Sequence, residues 1–87
     1  MFFVYVIQSL DAEKKRYIGF TADIERRLSA HNSDENRGYT KGRQWKLVYF
    51  EAYLSEKDAR RRERRLKDDG RARRQLINRI ETSLAVS

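Results

Sequence analysis

The 87-residue chain has no cysteine and no proline, and its one histidine is His31. Without cysteine there are no disulfides, no thiolate nucleophile and no cysteine-ligated zinc. With one histidine, a Ser/His/Asp triad stays formally open, but a metal site must rest mainly on carboxylates, which favours hard ions such as Mg2+ or Mn2+. Long apolar runs are missing too. The longest, Met1 to Ile7, neither spans a bilayer nor makes a signal peptide, so no membrane partner and a cytoplasmic location are expected. A chain this short has room for one core, which buries roughly 60 to 65% of the unfolded surface.

What the chain has in excess is positive charge: twenty Lys and Arg against thirteen Asp and Glu, a formal +7. Residues 55 to 80 hold eleven of the basic and five of the acidic residues, so +6 of that excess lies at one end. A solvated helix face and a helix laid along a nucleic-acid backbone both have this pattern. The basic residues are mostly arginine, which suits bidentate phosphate contacts, and this favours the second reading. Ten aromatic residues (five Tyr, four Phe, one Trp) are too many for a disordered basic tail.

Phe2 to Ile7 is continuously apolar and rich in β-branched and aromatic residues, which predicts a central strand covered on both faces. Arg16 to Phe20 reads as a second strand reached by a hairpin. Thr21 is a candidate cap for a helix to about Asn32, with Ile24, Leu28 and His31 along one stripe. Residues 33 to 43 lack periodicity and contain two glycines, so they form a loop; Trp45 to Tyr53 is a third strand. Ser55 and Asp58 open a helix to about Asp69, with Gly70 expected as its left-handed stop. Arg71 to about Ile80 makes a last helix, docked through Leu76, Ile77 and Ile80. The expectation is one α+β domain over residues 1–82, ordered β-β-α-β-α-α, with a frayed tail from Ser83 to Ser87.

Several polar residues sit where the pattern calls for apolar ones. On the helix of residues 55 to 69, Ala59 and Leu66 lie within about 20° of each other, with Glu63 about 40° from Ala59. A carboxylate on that side is either paired with an arginine or holds a cation. Arg27 lies about 60° from Ile24, with His31 one turn further on, while Arg26 points about 160° away from Leu28 into solvent. Arg27 reads equally as a flanking arginine, and His31 as a hydrogen-bonded helix end. Tyr5 and Tyr17, on adjacent strands, are ordinary core fillers when each is taken alone. Gly19 inside a strand marks a close approach of backbone or ligand.

Together, Val4-Tyr5-Val6, Tyr17-Ile18-Gly19 and Arg27 resemble the GIY-YIG nuclease family. The likeness is to its small bacterial single-domain type and to the nuclease module of excision-repair and homing endonucleases. Gly19-Phe20-Thr21, Arg26-Arg27-Leu28 with His31-Asn32, Trp45 to Tyr49, and Arg62-Glu63 with Leu66-Lys67 extend it over residues 2 to 80. Val4 replaces the first glycine of the name, Gln44 stands where relatives often have proline, and Phe20 stands where some relatives have a polar or basic residue.

The resemblance implies a three-stranded antiparallel sheet flanked by helices, and hydrolysis of DNA with one Mg2+ or Mn2+ and no small-molecule cofactor. It implies that Tyr5 or Tyr17 activates water, Arg27 binds phosphate, Glu63 ligates the metal, and Gly19 lets the strand end pack close to the site. His31, whose ordinary pKa lies near neutrality, competes for the role of base. Lys41 and the helical Arg60, Arg61 and Arg64 are candidate nucleic-acid contacts. A homodimer or a targeting partner is a further expectation. Two other readings stay open: a nucleic-acid-binding module of the same fold without turnover, and a protein-interaction domain using the acidic pair Asp34 and Glu35.

Overall fold

The computed structural model describes residues 1–33 and 38–86. Strands β1 (Phe2–Ser9), β2 (Arg16–Thr21) and β3 (Trp45–Tyr53) pair antiparallel in the order β2-β1-β3. Helix α1 (Ile24–His31) follows β2, and α2 (Glu56–Asp68), α3 (Gly70–Arg79) and α4 (Glu81–Ala85) follow β3. This is the α+β architecture expected, extended by one short helix. None of the described helices is long and apolar enough to cross a membrane.

The unbroken apolar run of β1 has its cause in the layering. Val4 and Val6 face one way, into a core with Ile18 of β2, Ala59 and Leu66 of α2, Ala72 and Leu76 of α3, and Ile80 at the end of α3. Tyr5 and Ile7 face the other way, onto Trp45, with Tyr17, Leu28 and Leu47 packed around them. A strand flanked by helices on both faces has no polar side to show.

A charged clamp ties β3 to α2. Tyr49, Glu51 and Tyr53 alternate along β3 and so share the face that α2 covers. The Arg62 guanidinium donates to both Glu51 oxygens at 2.9 and 3.0 Å, and the Tyr49 and Tyr53 hydroxyls donate to them at 2.7 and 2.6 Å. Burial alone would raise the Glu51 pKa, but the bonds from Arg62 and the two tyrosines hold it below the ordinary carboxylate value. The same burial and the carboxylate push both phenols up to about 12.

Three expectations are corrected. Thr21 does not cap α1, because it is still paired with Phe3 in the sheet; Asp23 is the cap, accepting from the Arg26 amide at 3.1 Å. Gly70 is no left-handed stop. Asp69 is extended (φ −109°, ψ 103°), closes α2 with its own amide, and accepts at its side chain from the Arg71 and Ala72 amides, so Gly70 opens α3. Ser83 is not frayed but lies in α4, whose Leu84 packs against the core. Residues 34–37 of the expected loop, with the pair Asp34 and Glu35, lie outside the described residues, as does Ser87.

Because Gly70 is helical and a Cβ there would meet nothing nearer than the Arg73 guanidinium at 3.7 Å, Gly70→Ala will stabilise the protein. The expected gain is about 0.4 to 1 kcal/mol, read as a rise in thermal midpoint.

Candidate active site

The site is built on the Tyr5 face of the sheet. Register places Gly19 of β2 directly opposite Tyr5 of β1, and the tyrosine ring occupies the space where a side chain would be. A Cβ at Gly19 would sit 2.3 Å from both Cζ and Oη of Tyr5. Gly19, singled out in the sequence as a place of close approach, is the floor for this ring.

Helix α1 crosses the same face and presents the polar residues of its stripe to Tyr5. Arg27 Nε donates to the Tyr5 hydroxyl at 3.3 Å. His31 Nε2 lies 2.8 Å from that hydroxyl, and His31 Nδ1 lies 2.8 Å from Thr40 Oγ1. Tyr5, His31 and Thr40 are buried, while Arg27 is largely exposed, so one end of its side chain is anchored and the rest faces solvent.

The electrostatics assign the protons. Burial, then the Arg27 charge, lower the His31 pKa, so the imidazole is neutral at pH 7. Burial raises the Tyr5 pKa against the opposing pull of Arg27, with Tyr17 and Glu63 adding to the rise, so the phenol keeps its proton. Arg27 is held charged by its bond to Tyr5, and Tyr17 supports it. A neutral imidazole with hydrogen on Nδ1 gives every group a complementary role: Arg27 donates to Tyr5, Tyr5 to His31, and His31 to Thr40.

Around this line the aromatic groups pack closely. Tyr17 meets the His31 ring edge-on at 5.2 Å and stacks with Tyr39 at 6.0 Å. Trp45 holds the turn beside them, its indole donating to the Thr40 carbonyl at 2.9 Å. The Asn32 side chain grips the Trp45 backbone, accepting from its amide at 2.6 Å and donating to its carbonyl at 3.0 Å. Tyr17, Arg27, His31, Tyr39 and Thr40 border a pocket of about 270 Å3.

From the other face, α2 reaches round the β2 edge. Lys67 Nζ lies 5.2 Å from the centre of the Tyr17 ring and pairs with Glu63 at 3.2 Å. Glu63 is half-buried as its stripe position implied, but its partner is a lysine one turn away rather than an arginine.

The structure therefore brings Tyr5, Tyr17, Gly19, Arg27 and His31 together and sets Glu63 at their edge. The helical arginines make their contacts elsewhere: Arg60 pairs with Glu56 and lies over the Phe20 ring, Arg61 pairs with Asp58, and Arg64 is exposed beside them. Lys41 is exposed in the turn after Thr40. Thr40 and Tyr39 sit in a segment without periodicity, so no spacing singled them out.

The GIY-YIG catalytic domain, as a family, matches residues 1–78. The chain belongs to the GIY-YIG family. This is a nuclease superfamily, and the chain is of its small single-domain UPF0213 type. It is 37% identical over 78 residues to a UPF0213 protein of Halobacterium salinarum, covering 88% of this chain and 99% of that one. With a UPF0213 protein of Clostridium perfringens it shares 39% over 64 residues, covering 72% of this chain and 67% of the other. The solution NMR structure of the UPF0213 protein from Bacillus halodurans superposes with a TM-score of 0.55 at 32% identity, over 90% of this chain and 84% of that one.

For a metal, the donors of this GIY-YIG site are sparse. No group of three or more His, Asp or Glu able to hold an ion occurs among the described residues. Glu63 offers one hard-oxygen carboxylate, already beside a cation, which fits Mg2+ or Mn2+ only with water and substrate phosphate as the remaining ligands.

Two outcomes follow. Gly19→Ala will cost about 1 to 3 kcal/mol, because the buried Tyr5 ring cannot yield without giving up both hydrogen bonds. In urea unfolding, the Gly19→Ala/Tyr5→Ala double variant will lose less than the sum of the singles. Since the folded His31 pKa lies below its unfolded value, the unfolded chain binds the extra proton, and stability falls as pH drops below about 6.5. The urea midpoint of His31→Gln will decline less between pH 7.5 and 5.5 than that of the wild type.

Proposed function

We propose that the protein is a metal-dependent endonuclease that hydrolyses phosphodiester bonds in DNA, with structured or branched DNA among its substrates. The observation that carries this reading is the pocket in which Arg27 and Tyr17 stand side by side, backed by the line from Arg27 through Tyr5 to His31. In-line displacement needs a base at the attacking water, positive charge on the non-bridging oxygens and stabilisation of the leaving oxygen.

The residues divide these tasks by exposure. Tyr5 is 2% exposed and keeps its proton, so it acts as a positioning residue that aims Arg27 and orders His31. Tyr17 borders the pocket and meets the water. In the reaction Tyr17 first gives its hydroxyl proton to solvent; the water oxygen then bonds to phosphorus while a water proton moves to the Tyr17 oxygen and restores the phenol. The bond from phosphorus to the leaving oxygen breaks, and that oxygen takes a proton from solvent. Arg27, its Nε held on Tyr5, turns its terminal N–H groups to the phosphate and offsets the charge developing there. His31, engaged on both ring nitrogens, keeps Tyr5 and the Thr40 turn in place. Glu63 would hold the divalent ion, which supplies positive charge at the leaving oxygen.

The runner-up, a binding module of the same fold without turnover, draws on the Glu63 carboxylate being paired with Lys67. Incubation of labelled branched, single-stranded and duplex DNA with Mg2+ or Mn2+ separates the two. Cleavage is expected, stopped by chelation, abolished in Glu63→Ala and Arg27→Ala, and slowed by about 100-fold or more in Tyr17→Phe. Glu63→Ala is expected to retain DNA binding. Binding without cleavage by the wild type, or equal nicking by wild type and Glu63→Ala, selects the binding module.

A further inference from the structure

Tyr17 and Tyr39 form a wall between two cavities. On one side is the pocket of Arg27 and His31; on the other, a larger groove of about 670 Å3 runs between the β2 edge and the junction of α2 with α3. Arg16, Lys67 and Arg74 border this groove, with Ile77 in its wall. Tyr39 is 62% exposed although its ring is braced by Tyr17 at 6.0 Å and by Trp45 at 6.4 Å. An exposed aromatic ring already held in place costs a ligand little ordering entropy.

Two of the charges bordering the groove, Arg16 and Arg74, differ from those on the outer face of α2, while Lys67 is paired with Glu63. Arg16 has one nitrogen on Gln8 at 3.3 Å, and Arg74 makes no ion pair among the described residues. By contrast, Arg60 and Arg61 have carboxylate partners within α2. Arg73 also borders the groove, but its guanidinium closes α2, donating to the Leu66 and Lys67 carbonyls at 3.0 Å each.

We infer that this groove is a binding subsite for an unpaired stretch of DNA strand leading away from the Arg27 pocket, with one base stacked on Tyr39 and the backbone passing Arg16 and Arg74. A base inside a duplex has both faces covered by its neighbours, so a stacking ring beside a basic groove selects unpaired nucleotides. The inference rests on the nuclease reading for the identity of the polymer, and its test does not depend on turnover.

Fluorescence anisotropy with a labelled oligothymidine and a duplex of equal length, both in EDTA, measures binding alone. The single strand is expected to bind the tighter. Tyr39→Ala raises its Kd about tenfold and Tyr39→Phe leaves it unchanged. Arg16→Ala and Arg74→Ala each flatten the slope of log affinity against log salt by about 0.7. Equal binding by Tyr39→Ala and wild type, a preference for duplex, no binding of either DNA, or loss confined to an Arg60/Arg61/Arg64→Ala variant overturns the assignment. Tyr39-dependent binding in a protein that never cleaves would remove the nuclease reading and leave the groove standing.

Discussion

Everything on the functional face depends on one steric fact: the Tyr5 ring occupies the volume that a side chain at position 19 would fill. With the ring in that space its hydroxyl meets both Arg27 and His31, and these two hydrogen bonds tie α1 to the sheet. The missing Cβ and the buried phenol are two halves of one contact. The glycine gives up strand propensity, and the tyrosine offsets that loss by covering the exposed backbone.

The two faces of β1 have different work. The face of Val4 and Val6 is held by aliphatic packing and the Glu51–Arg62 clamp, and it carries the basic helices. The face of Tyr5 and Ile7 is smaller and relies on hydrogen bonds to place its groups, linking Asn32 with Trp45, Trp45 with Thr40, Thr40 with His31, and His31 with Tyr5. A domain this small cannot afford a second large core, so the functional face is ordered by a polar network in which almost every member has two partners.

Elements whose cause is local were legible in the sequence. The β1 run, the stripe of Ala59 and Leu66, and the Ser55 cap of α2 all stand where spacing put them. Gly19 was recognisable as special, but its reason was not, because that depends on the register that sets it opposite a residue fourteen positions earlier. Glu51 gave no signal inside an aromatic strand, since its partner Arg62 lies eleven residues away on a helix. Gly70 misled in the opposite way: the familiar role of glycine at helix ends drew attention from the aspartate before it, whose side chain had a better use. Tyr5 and Tyr17 were interchangeable in the sequence, whereas in the structure Tyr5 is buried and Tyr17 is half-buried.

The Asp69 junction bears on how the molecule can move. Its amide closes one helix, its carboxylate opens the next, and Arg73 reaches back to the last carbonyls of α2. Two helices spliced this way behave as a single bent rod, so one bank of the groove is stiff. The opposite bank is the β2 edge with Tyr39, which sits in a turn between two glycines in left-handed conformations, moored through the Trp45 indole. The stiff bank of the groove is therefore an elbow whose bend is set at a single aspartate.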